Sequence, residues 1–169
     1  MNKTILFNFI VDKGARKIRV ERSFDAPVEL VWKAWTDPAI TDQWWAPKPW
    51  RAETKSQEFR EGGFWIYSMV GPEGERHWSL FEYKLIDAPK NFSGLDAFCD
   101  ENGVVNKELP RLFWNNEFIG NDDSTVVHVE INFDALADLE KIIEMGFKEG
   151  FTMGLENLDA YLKKEHYLK

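Results

Sequence analysis

Three histidines, one cysteine and a few isolated acids are the residues that could do chemistry in this chain, and their spacing argues against most of it. His77, His128 and His166 share neither a helix face nor a strand face, and Cys99 does not join them, so no zinc site is expected. His128 alternates with Val127 and Val129, which places the valines inward and the imidazole outward. His166 sits in a polar tail and reads as solvated. His77 opens a strand, and reads either as a strand-end histidine in water or as a polar group at a cavity. Asp96, Asp100 and Asn102 ahead of Gly103 faintly resemble a calcium loop, but the spacing is wrong and no Glu closes it, so turn chemistry accounts for them better. Cys99 would need an adjacent base to become a nucleophile; none is present, and it reads as a small buried apolar residue. Neither a phosphate loop nor a nucleophile elbow occurs. No catalytic residue, metal or cofactor is therefore assigned. If an enzyme were built here, Tyr67, His77 and Glu82 are the groups to nominate.

The elements that must position these groups announce themselves by changes of period. Ile5 to Val11 and Arg16 to Phe24 read as two strands joined at Asp12-Lys13-Gly14, with Ile18 and Val20 alternating with Lys17, Arg19 and Glu21. Val28, Val31, Trp32 and Trp35 then fall at i, i+3, i+4 and i+7 on one helical face, with Pro27 in the first turn, where its missing N–H is harmless. Asp37-Pro38 repeats the start signal for a second short helix carrying Ile40 and Trp44. After a turn at 60–63, strands are predicted at 64–70 and 76–86, joined by a tight turn at Gly71-Pro72-Glu73-Gly74. Further strands are predicted near 91–99, 111–119 and 124–133, with an exposed loop from Gly103 to Pro110.

From Leu136 to about Lys164 the pattern is helical, and Phe147, Phe151, Leu155, Leu158 and Leu162 form one apolar stripe. Gly146, Gly150 and Gly154 recur every four residues beside it. Each glycine costs about 1 kcal/mol relative to Ala inside a helix. Three in register call for close packing against the sheet, a kink at Gly146, or room for a ligand against bare backbone.

The order is a strand hairpin, two short helices, about five antiparallel strands and one long C-terminal helix. That is an α+β fold over a single domain, 1–169: a curved antiparallel sheet wrapped around the helix, a helix-grip, with a cavity in the gap. Strand alternation turns Trp65, Tyr67 and Met69 inward from one strand and Phe81, Tyr83 and Leu85 from the next. Trp114 and Phe118 come from a later strand, and Phe147, Phe151 and Leu155 from the helix. Tyr67, Tyr83, His77 and Arg76 would supply the few polar anchors such a cavity needs. The segment from Trp44 to Trp50 reads either as a sticky surface for a protein partner or as a loop whose rings cap the cavity mouth, and the second fits better.

Composition narrows the classes of partner. Eight Trp and thirteen Phe in 169 residues fit a ring-rich core or a ring-lined pocket equally well. A net charge of −8 with no basic stripe excludes nucleic acid as a partner and disfavours an anionic membrane. One cysteine fits a reducing cytoplasm. The apolar run at the N-terminus is short, broken by Asn8, and lacks a cleavage site, so neither a signal peptide nor a membrane span is expected.

Phe24-Asp25-Ala26-Pro27-Val28-Glu29-Leu30-Val31-Trp32-Lys33-Ala34-Trp35-Thr36-Asp37-Pro38 resembles the opening signature of the START/Bet v 1-like (SRPBCC) superfamily. It is most similar to the branch named for activators of the heat-shock protein 90 ATPase. The resemblance continues through Trp44-Trp45-Ala46-Pro47, Gly62 to Met69, Gly71 to Gly74, Gly150-Phe151 and Leu155 to Leu162, covering about residues 16 to 164. It departs at Ala88, where the family has a second proline, at Phe151, where it has tryptophan, and in a longer loop from Asp100 to Pro110. The resemblance implies the helix-grip fold and the binding of a lipid, polyketide or other hydrophobic molecule. A few members are cyclases or hydrolases. The chaperone activators carry a further N-terminal domain that these residues do not supply, so chaperone activation is not expected. The function expected is binding of a hydrophobic or aromatic small molecule by a monomer or homodimer. A cyclase- or hydrolase-type enzyme using the same cavity, or a chaperone or other protein-interaction domain, are the alternatives.

Overall fold

The computed structural model describes the backbone of residues 6–167 and the side chains of residues 6–165, so the expectations for Ile5 and the His166 side chain lie outside the described residues. The chain opens with strands β1 (Phe7–Asp12) and β2 (Lys17–Phe24) and helices α1 (Val28–Thr36) and α2 (Pro38–Thr41). Six strands follow: β3 (Arg51–Gln57), β4 (Phe64–Val70), β5 (Arg76–Asp87), β6 (Asn91–Phe98), β7 (Phe113–Asn121) and β8 (Ser124–Asn132). Helices α3 (Leu136–Glu144) and α4 (Phe147–Tyr167) end the fold. Among the described residues, the eight strands form one antiparallel sheet in the order β1-β2-β8-β7-β6-β5-β4-β3.

The alternation expected of β2 is realised, with Ile18, Val20, Arg22 and Phe24 buried. Arg22 is an inward cation. Its guanidinium lies 4.9 Å over the Phe24 ring and 3.8 Å from Asp159 of α4, and burial lowers its pKa. On α1 the buried face is Val31, Ala34 and Trp35, packed against β7 and β8. The Asp37 side chain caps α2 by accepting from the Ala39 N–H at 3.0 Å. That helix stops at Thr41, short of Trp44. Both residues are nevertheless tied to one carbonyl, for the Thr41 hydroxyl and the Trp44 indole N–H each donate to Ala34 O at 2.9 Å.

Three further sequence expectations need correction. There are six strands after α2 rather than five, because β3 carries the polar run Arg-Ala-Glu-Thr-Lys-Ser-Gln and buries only Ala52. It is an edge strand with charges on it, as sheets use to discourage edge-to-edge pairing, and so it shows no apolar period. The C-terminal helix is two helices. Gly146 has φ +91°, a left-handed conformation that ends α3 in the way glycine ends many helices, and α4 restarts at Phe147. Leu85 does not face inward and is 63% exposed, because a bulge between Tyr83 and Leu85 shifts the register of β5 by one residue.

Candidate functional site

A cavity of about 370 Å³ lies between the inner face of β4–β7, the α3–α4 junction and the loop from Trp44 to Trp50. Pairing sets its sheet wall. Met69 of β4 stands opposite His77 of β5, and Tyr67 opposite Ser79, so these four share one inward patch. Asp96 of β6 stands opposite Phe81, and with Phe98 and Trp114 of β7 it extends the wall. Phe147, Gly150 and Phe151 of α4, with Ile142 and Met145 of α3, close the other side. Trp45, Pro47 and Trp50 form the roof.

The roof is anchored rather than free. Asn157 of α4 donates to the carbonyls of Trp44 and Ala46 at 3.4 and 3.2 Å. Trp44 is buried, and the Trp45 indole N–H donates to the Tyr67 hydroxyl at 3.0 Å. This arrangement matches the capping loop rather than an exposed sticky surface. The three spaced glycines do three different jobs. Gly146 makes the helix break. A Cβ on Gly154 would stand 3.2 Å from the Trp45 carbonyl oxygen, so that glycine allows the roof to lie against bare helix backbone. A Cβ on Gly150 would meet only Pro47 at 3.7 Å, and Gly150 lines the cavity.

A void of about 40 Å³ lies deeper and shares Trp45, Tyr67, Asp96 and Trp114 with the cavity wall. Of the residues expected to line a site, Tyr67, Met69, His77, Trp114, Phe147 and Phe151 border the main cavity. Trp65, Phe81 and Tyr83 border the deeper void instead. Phe118 and Leu155 border neither. Phe118 packs on Trp32 with ring centroids 5.1 Å apart, and Leu155 is buried in the core. The ring-rich core and the ring-lined pocket thus both exist, and Tyr67, Trp114 and Phe151 belong to both.

The polar inventory is short. His77 is exposed at the mouth, its ring 5.2 Å from that of Trp50. Burial pushes the Tyr67 hydroxyl up to about 12, against the Trp45 N–H that lowers it, so it stays protonated. Asp96 is the residue that sequence reasoning set aside. Its Oδ1 accepts from the Leu112 N–H and its Oδ2 from the Trp114 indole N–H, both at 2.8 Å. Burial nonetheless pushes its carboxyl up to about 6 from 3.8. The signal was present: Phe92, Gly94, Asp96 and Phe98 alternate along β6, which puts one acid on the apolar phase of the strand. Glu82, nominated for acid–base work, lies on the other face, bound to Lys84 at 2.9 Å and Arg111 at 3.3 Å. His128 points outward to Glu21 at 3.3 Å, as expected. Cys99 is half-buried rather than buried, because it sits at the sheet margin, bridged to Val105; burial pushes its thiol up, away from nucleophilic use. Among the described residues no group of three His, Cys, Asp or Glu side chains is placed to hold a metal ion, and no helix is long and apolar enough to cross a membrane.

A curved antiparallel sheet gripping a C-terminal helix around an apolar cavity defines a helix-grip domain of the START/Bet v 1-like class. Within that class, the chain belongs to the family described as activator of Hsp90 ATPase homolog 1-like protein, whose model matches residues 25–163. A solution structure of a protein from Arthrobacter aurescens is similar at 30% identity and TM-score 0.87, over 93% of this chain and 91% of that one. A crystal structure of a Mycobacterium smegmatis protein is similar at 28% identity and TM-score 0.85, over 94% and 97% of the two chains. A Staphylococcus epidermidis protein follows at 25% identity and TM-score 0.79, over 89% and 91%. A comparison with curated proteins gives no match. The fold is one that commonly holds hydrophobic ligands.

Proposed function

We propose that this chain, acting as one domain, binds a hydrophobic or aromatic small molecule in the cavity between its sheet and its C-terminal helices. The observation that carries the reading is the cavity itself. Its volume of about 370 Å³ falls within the range of small-molecule sites, and rings of Trp45, Trp50, Tyr67, Trp114, Phe147 and Phe151 surround it. The rings that wall it are also part of a packed core, which gives the space firm walls. The single cysteine agrees with residence in a reducing compartment such as the cytoplasm.

Mass spectrometry of the purified protein, native against denatured, tests the proposal. Extra mass in the native spectrum that vanishes on denaturation is expected, and its formula identifies the ligand class. A native mass equal to that of the bare chain, together with no thermal shift from a panel of naphthalene- and indole-based probes, would remove the reading.

A further inference from the structure

We infer that the cavity selects a ligand carrying a cationic nitrogen, an aromatic or apolar amine, with Asp96 as its counter-ion and the surrounding indole and phenyl rings as its box. This rests on the cavity being a ligand site. The first support is the charge census of the wall. Among the described residues lining the cavity there is one carboxylate, Asp96, one histidine, His77, and no Lys or Arg. A carboxylate or phosphate ligand would find no cation there and would meet Asp96 as a like charge.

The second support is how Asp96 is held. A carboxylate drawn out of water is normally paired with a cation, and Asp96 is half-buried among the cavity's rings. Among the described residues no cationic nitrogen lies within 4.0 Å of this one. Arg111 donates to the Asp96 backbone carbonyl at 3.0 Å and to Glu82 at 3.3 Å on the opposite face of the sheet, so its charge lowers the Asp96 carboxyl from a distance, less than the two N–H donors do. The two N–H donors to Asp96 occupy about two of the roughly four acceptor positions of a carboxylate, leaving room for a ligand N–H. Third, an ammonium is attracted to the faces of Trp, Tyr and Phe rings, and Trp45, Trp50, Trp114 and Phe147 frame the same space.

Three probes of one shape separate the possibilities: naphthylethylamine, naphthylethanol and naphthylacetate, titrated by tryptophan fluorescence near pH 8. The amine is expected to bind best and the acid worst. Asp96→Asn is expected to weaken the amine by about tenfold or more, as loss of a hydrogen bond to a charged group does, while leaving the alcohol almost unchanged. Wild type supplies an arm that needs no variant. Amine affinity should fall as the pH drops below about 6, where Asp96 takes up a proton, and alcohol affinity should not. Tyr67 of β4 and His77 of β5 are the other titratable groups on the wall, and α3, α4 and the roof contribute none. The pH arm is therefore repeated in His77→Gln. Equal binding of all three probes, tighter binding of the acid, or an amine affinity indifferent to both Asp96→Asn and pH would overturn this inference and leave the cavity reading standing. No binding of any of the three to wild type would overturn this inference, and together with a bare native mass and no thermal shift it would overturn the cavity reading as well.

Discussion

An ionised carboxylate inside an aromatic cavity is unfavourable for the fold, and the size of the effect can be read from Asp96. Its pKa of about 6 against 3.8 is about two units, or about 2–3 kcal/mol of stability forgone at neutral pH. The sign is set by the raised value. The folded chain binds the proton between about pH 4 and 6 and the unfolded chain does not, so this contribution improves as pH falls through about 6. Asp12, Glu53 and Glu82 act in the opposite sense: the Ala15 N–H, Arg51 and Lys84 respectively hold them below the usual carboxylate range, and their contribution is lost on acidification. The test is therefore the difference between wild type and Asp96→Asn in urea midpoint across pH 4 to 7, in which those three cancel. Wild type should gain on the variant as pH falls from about 6 to 4. Absolute stability is a poorer readout, since Asn offers one acceptor oxygen to the two donors from Leu112 and Trp114. A difference flat with pH would show that the carboxyl is not buried as described.

At the scale of elements, the last two helices and the roof loop form one device, and its glycines can be told apart by substitution. Gly150→Ala meets only Pro47 at 3.7 Å and gains helix propensity, so it should stabilise by up to about 1 kcal/mol. Gly154→Ala gains the same propensity, but it must push the Trp45 and Trp44 carbonyls from 3.2 and 3.4 Å and so should gain less or lose. Gly146→Ala places a Cβ on a backbone at φ +91° and should cost about 1–3 kcal/mol. Chemical denaturation of the three variants checks the ranking. A Gly146→Ala protein as stable as Gly150→Ala would mean that the break between α3 and α4 is not held by that glycine.

The whole molecule divides its apolar residues between two tasks. Leu158 and Leu162 are buried away from the cavity and hold α4 to the sheet. Leu158→Ala should therefore cost about 2–5 kcal/mol while leaving probe affinity per folded molecule unchanged. Gly150→Leu should do the reverse, lowering probe affinity with a modest change in stability, because its side chain would project from a residue that lines the cavity. Thermal denaturation paired with fluorescence titration of the same two variants checks both. If Leu158→Ala and Gly150→Leu affect both readouts in parallel, core and cavity are not separable and binding is secondary to packing.

Much of this was legible in the residues. The period-2 alternation of β2, the helical spacing of Val28, Val31 and Trp35, and the turn at Gly71 to Gly74 are local signals. They brought out seven of the eight strands and the grip around a C-terminal helix. A polar edge strand, β3, was silent because it has no buried face to impose a period. The cavity's walls were legible as a set of inward rings, because alternation is decided strand by strand. Which of those rings border open space was not, because that depends on how far apart the sheet and α4 are held. The register of β4 against β5 decides which side chains meet on the sheet wall, and the carbonyls that Asn157 holds decide where the roof lies on α4. Asp96 shows the division most clearly. The sequence alone places an acid on the apolar phase of β6. Only the tertiary structure puts Trp114 and Leu112 on its two oxygens and turns the Arg111 guanidinium to the Asp96 backbone and Glu82, so that no ion pair reaches its carboxylate.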